Sequence, residues 1–177
     1  MSNILLVIAI ILIAFLVFVS TRPNSFTIKR HIAIKAKPDA IYPLLTSFHP
    51  DGWGKWSPWE GLDPEMKRTF SGPHDGEGAV YEWEGNKKVG AGRMEIQHAD
   101  APMAVDIRLD FLRPMKATNA TEFRIIDEGN ESMVTWCMKG SLSFVAKIFH
   151  LFMDMDKIVG ADFERGLAKL KALAEAR

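Results

Sequence analysis

The N-terminus of this chain is an uninterrupted run of 16 apolar residues, Ile4 to Val19, unlike anything that follows it. As a helix this run would be about 24 Å long, slightly shorter than the ~30 Å hydrocarbon core of a bilayer. Only Met-Ser-Asn precedes it, whereas a signal peptide carries Lys or Arg there, and Val19-Ser20-Thr21 is a poor cleavage site. The run therefore predicts an uncleaved transmembrane anchor over residues 1–21. A cleaved signal peptide and a buried core helix are the alternatives.

The charges that flank the run predict its orientation. Arg22, Lys29 and Arg30 follow it, and no basic side chain precedes it. Because basic residues are retained on the cytoplasmic side, we expect a single-pass membrane protein whose C-terminal body is cytoplasmic. Residues 22–25 then form a short linker, and residues 26–177 form one domain.

Composition excludes several classes of protein and site. Lys and Arg together number 22, as do Asp and Glu, so the net charge is zero and a nucleic-acid partner is not expected. The single cysteine, Cys137, excludes an internal disulfide and a cysteine-rich metal site. The five histidines show no metal-binding spacing, and the glycines form no phosphate-binding motif before a helix. We therefore predict neither a metal nor a cofactor.

The pattern of the domain predicts an α+β fold. Residues 26–34 alternate as a strand does, and Pro38 opens a short helix that ends near Thr46. Turn residues then separate six further strands, which we place at 66–70, 79–84, 89–98, 104–112, 120–126 and 133–139. An apolar stripe from Ile148 to Leu173 predicts one long C-terminal helix, in which Gly160 and Gly166 mark a close approach to the backbone. A single helix lying across an antiparallel sheet leaves a pocket between the two layers.

Several segments carry a family resemblance: residues 32–42, 56–59, 62–68, 71–73, 81–90 and 159–167, with Gly76, Gly78, Gly92 and Met94. Together they resemble the SRPBCC superfamily (START-like, helix-grip), specifically its polyketide cyclase/dehydrase and lipid-transport branch. The resemblance implies a helix-grip fold, in which a curved antiparallel sheet wraps around a long C-terminal helix, and a cavity for a hydrophobic ligand. It transfers no catalytic residue to this chain.

Candidate cavity residues follow from strand alternation and from the aromatic content. Tyr81 and Trp83 share a strand face that we take as the concave one, so Glu82 and Glu84 should point away from it. Arg30 lies on an apolar strand face and needs a partner. That partner is either a carboxylate of the C-terminal helix or an acidic group on a ligand. The predicted cavity residues are Arg30, Trp56, Trp59, Tyr81, Trp83, Met94, Phe111, Trp136, Val159 and Phe163.

Three functions fit these features. The first is a membrane-anchored domain that binds a hydrophobic small molecule or lipid without transforming it. The second is a cyclase- or dehydratase-like enzyme in which Glu82, Tyr81 or Arg30 moves protons. The third is an interaction module without a ligand. A well-formed pocket would distinguish the first two functions from the third, and an acid–base pair inside that pocket would distinguish the second from the first.

Overall fold

The computed structural model describes residues 2–176, which form five helices and seven strands. The elements are α1 (Ser2–Ser20), β1 (Ser25–Ile34), α2 (Pro38–Thr46), α3 (Trp53–Trp56), β2 (Lys67–Ser71), β3 (Val80–Glu84), β4 (Ala91–Asp100), β5 (Ala104–Arg113), β6 (Ala117–Asp127), β7 (Ser132–Ser141), α4 (Phe144–Phe152) and α5 (Met155–Glu175). All seven predicted strands are present. Their ends lie within three residues of the predicted ones.

The strands form one antiparallel sheet in the order β1-β7-β6-β5-β4-β3-β2. Strands β2 to β7 pair with their neighbours in sequence, and β1 adds to β7 through pairs such as Phe26 with Gly140. Register irregularities in β4 at Ala91/Gly92 and at Ile96/His98 interrupt the regular pairing with β5. Such bulges bend a strand and increase its twist, which makes the sheet concave.

Helix α5 lies over the concave face of the sheet. Phe163, Leu167 and Leu170 of α5 are all buried, with exposed fractions of 1%, 1% and 0%. The Phe163 ring stacks on Trp136 of β7 with a centroid distance of 3.9 Å. At Gly166 an added Cβ would touch both Trp136 and Pro58, so the glycine lets α5 approach both side chains. The structure thus has the α+β helix-grip architecture that the pattern and the resemblance predict.

The C-terminal helix is not continuous, and this part of the prediction was wrong. The chain breaks between α4 and α5, where the Asp154 side chain accepts a hydrogen bond from the Lys157 amide and so caps α5. Phe152, a member of the predicted apolar stripe, is 77% exposed. The apolar spacing continues across the break, but the local N-cap of Asp154 competes with helix continuation. In the segment 47–65, predicted as irregular, the structure contains the short helix α3.

Helix α1 contains the one segment among the described residues, Asn3–Ser20, whose length and composition suit a membrane span. Only 6% of this 18-residue window is buried against the rest of the protein. Contact with the domain is confined to its C-terminal end, where Val19 is buried and the Lys147 ammonium of α4 donates to the Ser20 carbonyl at 3.5 Å.

Arg30 joins the first strand to α5. Its Nε donates to Glu164 Oε1 at 2.7 Å, and its Nη1 and Nη2 donate to the two carboxylate oxygens of Asp156 at 3.1 and 3.0 Å. Nη2 also donates to the Asp156 carbonyl, and Nη1 to the Lys29 carbonyl. All five N–H groups are therefore used. The hydrogen bond to Asp156, followed by that to Glu164, raises the pKa of Arg30 above its ordinary value.

Gly160 makes this contact possible. A Cβ at position 160 would overlap the Arg30 guanidinium, so only glycine lets the planar group lie against the α5 backbone. Of the two readings of Arg30, the structure shows the ion pair with carboxylates of the C-terminal helix.

We expect Gly160→Ala to destabilise the domain although alanine is favoured by about 1 kcal/mol in a helix. In an Arg30→Ala background the same substitution should be stabilising, because the overlapping group is gone. Urea unfolding of the four proteins of this double-mutant cycle measures the difference. Equal effects of Gly160→Ala in both backgrounds would contradict the proposed close approach.

Candidate functional site

A cavity of about 420 Å³ lies between the concave sheet face and α5. Its walls come from β1 and β3–β7, from the α3 segment and from α4 and α5. Eight of the ten predicted residues lie along it: Trp59, Tyr81, Trp83, Met94, Phe111, Trp136, Val159 and Phe163. Strand alternation brings most of these together, because every second side chain of β3–β7 faces the same side of the sheet.

Two predicted residues, Trp56 and Arg30, do not belong to the cavity lining. Trp56, the last residue of α3, is fully buried. Its Nε1 donates to the Leu44 carbonyl at 2.8 Å, and its ring packs edge-on against Phe123. Arg30 faces α5 and is occupied by Asp156 and Glu164. Trp53 lines the cavity in place of Trp56, and the two rings pack edge-on with a centroid distance of 4.6 Å.

Aromatic rings form most of the cavity wall. Trp136 lies at the centre, with Trp53 and Trp59 edge-on at 5.7 and 5.8 Å. Trp83 stands on β3 opposite Gly92 of β4, where a Cβ would collide with the indole. Such rings supply a large apolar surface and restrict the ligand to shapes that fit between fixed planes.

Glu60 is a cavity residue that sequence reasoning missed. Its Oε1 accepts a hydrogen bond from the Tyr81 hydroxyl at 2.6 Å, and its Oε2 accepts one from Arg68 Nε at 2.7 Å. Burial, and then the hydrogen bond to Glu60, raises the pKa of Tyr81 far above its ordinary value, so the phenol stays protonated. Glu60 lies in the irregular segment before β2, where no periodicity assigns a side chain to a face.

Glu82 and Glu84 point away from the cavity, as the alternation predicted. Both are exposed, and they pair on the outer face with Arg93 at 3.9 Å and with Arg113 at 3.2 Å. Of the three residues considered as proton-transfer groups, only Tyr81 therefore reaches the cavity.

Three buried polar atoms of cavity residues lack a hydrogen-bond partner. They are Asn119 Oδ1, Thr121 Oγ1 and Trp136 Nε1, and the side chains of residues 3–176 contain no other such nitrogen or oxygen atom. Asn119 and Thr121 are neighbours on the same face of β6, and the Asn119 amide nitrogen has only the Met138 sulfur, 3.8 Å away. Within residues 2–176 no group of three His, Cys, Asp or Glu side chains could hold a metal ion.

A concave sheet closed by one helix over an aromatic cavity defines a helix-grip ligand-binding fold. The chain belongs to the polyketide cyclase / dehydrase and lipid transport family, whose profile matches residues 25–175. No curated protein matches the sequence significantly.

Solved structures of the same fold are similar only distantly. The Aha1 dimer from Colwellia psychrerythraea is 20% identical, with a TM-score of 0.60 over 85% of this chain and 96% of that one. The di-domain ARO/CYC StfQ of the steffimycin biosynthetic pathway is 9% identical, with a TM-score of 0.63 over 87% of this chain and 52% of that one. The major latex-like protein 151 from Panax ginseng is 14% identical, with a TM-score of 0.56 over 87% and 97%. These similarities show the fold alone.

Tyr81→Phe tests the Glu60–Tyr81 pair. Losing the phenol should cost about 1–2 kcal/mol at neutral pH, because Glu60 Oε1 loses its donor. In the wild type, stability is undiminished below the ordinary tyrosine pKa of 10 and falls above it, because the unfolded chain releases a proton that the folded chain keeps. Tyr81→Phe should lack this part of the alkaline loss.

Urea unfolding of both proteins at roughly pH 8 and pH 11 measures these effects. Absorbance titration near the phenolate band provides a control, because Tyr42 is the only other tyrosine. A Tyr81 that titrates near its ordinary pKa would contradict the buried pair.

Phe163→Ala tests the packing of α5 over the cavity. The ring is 1% exposed and stacked on Trp136, so we expect a loss of about 3 kcal/mol in the free energy of unfolding. Phe152→Ala is the matched control, since this 77%-exposed ring should cost less than roughly 0.5 kcal/mol in detergent. Equal costs at the two positions would mean that α5 does not close over the sheet.

Proposed function

We propose that this protein is a membrane-anchored domain that binds a hydrophobic small molecule or lipid in the cavity between the sheet and α5. The observation that carries the proposal is the cavity itself, with its wall of fixed aromatic rings. Its volume of about 420 Å³ lies within the range of small-molecule sites, roughly 300–1,000 Å³. The side chains leave this space open, which favours a ligand-binding function over an interaction module with a filled interior.

The ligand that suits this cavity has an apolar body with a few polar groups. Apolar surface stabilises a complex by about 25 cal/mol per Å² removed from water. The polar side chains of the lining, which include Asn119 and Thr121, suit a ligand that carries hydroxyl or carbonyl groups, since an unsatisfied buried polar group costs about 1–3 kcal/mol.

Helix α1 supports the membrane part of the proposal. It is exposed along most of its length and is apolar enough to span a bilayer. Arg22 lies two residues beyond its end, over the Phe18 ring at 4.1 Å, where an interfacial cation belongs. We propose that the domain is held on the cytoplasmic side of the membrane.

A cyclase- or dehydratase-like activity is the second candidate, and the Tyr81 hydroxyl is the observation that favours it. This protonated phenol lies in the cavity wall and could donate a hydrogen bond to a carbonyl of a bound chain. Its proton is already donated to Glu60, however, and both carboxylate oxygens of Glu60 are occupied. This engagement is why we place binding first.

Native mass spectrometry of the full-length protein in detergent tests the proposal. We expect the wild type to retain a co-purified apolar molecule or a lipid added from a defined mixture. Leu109→Trp, which places a large ring in the cavity, should abolish this adduct. Ile126→Trp is the matched control, because this side chain is 55% exposed and outside the cavity. Failure of the wild type to bind any lipid or apolar metabolite would overturn the proposal, as would unaltered binding by a folded Leu109→Trp variant. Turnover of the bound molecule that Tyr81→Phe abolishes would favour the enzyme instead.

A further inference from the structure

One end of the sheet lies next to the membrane segment. Strand β1 begins at Ser25, only a few residues after α1 ends, and Ser25 pairs with Ser141 at the end of β7. The antiparallel register then places the β3–β4 turn (residues 85–90) and the β5–β6 turn (residues 114–116) at this same end, through the pairs Phe111–Ala117, Ala91–Arg113 and Ala91–Glu84. We call this the anchor end of the sheet.

The cavity extends to the anchor end. Its lining includes Lys87 and Lys88 of the β3–β4 turn, Met115 of the β5–β6 turn, and Ala146 and His150 of α4. The two turns and α4 therefore form a rim around the part of the cavity nearest to the membrane segment.

This rim carries apolar side chains that the domain leaves uncovered. Their exposed fractions are 51% for Leu112, 46% for Met115, 54% for Val145, 50% for Phe149 and 77% for Phe152. The outer face of helix α4 is thus apolar. An exposed cluster of large apolar side chains on one end of a domain marks a surface that contacts another apolar phase.

Two observations identify that phase as the bilayer. First, α4 contacts the end of the membrane segment, because Lys147 of α4 donates to the last carbonyl of α1, at Ser20. Second, the rim is basic: Lys87, Lys88 and Lys116 are exposed and have no acidic partner among residues 2–176, and Arg113 pairs with Glu84. Apolar side chains bordered by lysines are the composition of a surface that lies in the headgroup layer of an anionic leaflet.

We propose that the rim formed by α4 and the two turns docks on the anionic leaflet that holds α1, so that the cavity opens onto the bilayer. The ligand then passes between membrane and cavity without crossing water. This inference rests on the proposed function, because it supplies the route by which the same cavity is filled. The membrane is then the source of the ligand, and the ligand is a lipid-soluble molecule.

Site-directed spin labelling of the full-length protein in vesicles tests the docking. A nitroxide is placed at Phe149→Cys or Met115→Cys in a Cys137→Ala background, since Cys137 is the single native cysteine. Ile126→Cys is the matched control, because it is equally exposed and lies near the end of β6, at the opposite end of the sheet. The vesicles are phosphatidylcholine with or without phosphatidylserine.

In anionic vesicles, we expect the two rim labels to collide with oxygen more than with a water-soluble nickel chelate, and the control label to show the reverse. Replacing both Lys87 and Lys88 by Gln should lower the ratio of docked to undocked protein by about fivefold per lysine, whereas Lys169→Gln, on the distal half of α5, should leave it unchanged. Rim labels that are as accessible to nickel as the control would overturn the proposal. Rim labels shielded from both reagents would overturn it in favour of a protein partner.

This result can be distinguished from failure of the proposed function. Water-exposed rim labels in a protein that still carries an apolar adduct would exclude membrane docking and leave ligand binding in place. Membrane-buried rim labels in a protein that binds no ligand would exclude the binding function and show a surface that serves only to anchor the domain.

Discussion

The contact between the Arg30 guanidinium and the α5 backbone at Gly160 sets the position of the long helix over the sheet. Arg30 donates to Asp156 and Glu164, which lie on either side of the glycine, and so fixes both the height and the rotation of α5. A second close approach, at Gly166 against Trp136, fixes the helix further along. Phe163 lies between these two points and Val159 directly before the first, and both side chains line the cavity. The cavity is the space that remains because one helix cannot fill a concave sheet of seven strands.

The cavity combines two kinds of surface with different consequences. Stacked and edge-on rings around Trp136 are rigid, because each ring packs against others on several sides. The polar groups fall into two sets. Glu60, Tyr81 and Arg68 satisfy one another, whereas Asn119, Thr121 and Trp136 each keep an unused polar atom. A satisfied network rigidifies a wall, and an unsatisfied one favours a partner that completes it.

The apolar helix α1, which is long enough to span a membrane, lies at one end of the cavity. Because only residues 21–24 separate α1 from β1, the sheet end that carries two turns and α4 lies beside α1. Here exposed Phe149 and Phe152, with Lys87 and Lys88 nearby, suit contact with lipid far better than contact with solvent.

The sequence by itself determined the apolar N-terminal helix, the seven strands, the short helix at Pro38 and the outward direction of Glu82 and Glu84, because each depends on local periodicity or on a turn residue. It also indicated that the glycines at 160 and 166 mark close approaches, although it did not name what approaches them. The interruption at Asp154 was missed because apolar spacing continues across it, while the N-cap that ends the helix depends on one side-chain hydrogen bond. Only the tertiary structure shows that Arg30 pairs with carboxylates of α5 and that the Trp56 ring lies in the core rather than in the cavity wall. It alone also shows that Glu60 accepts a hydrogen bond from Tyr81. Those three outcomes depend on how the irregular segment 47–65 and the helix α5 pack against the sheet. Contacts between residues so far apart in the chain produce no periodic pattern in the sequence.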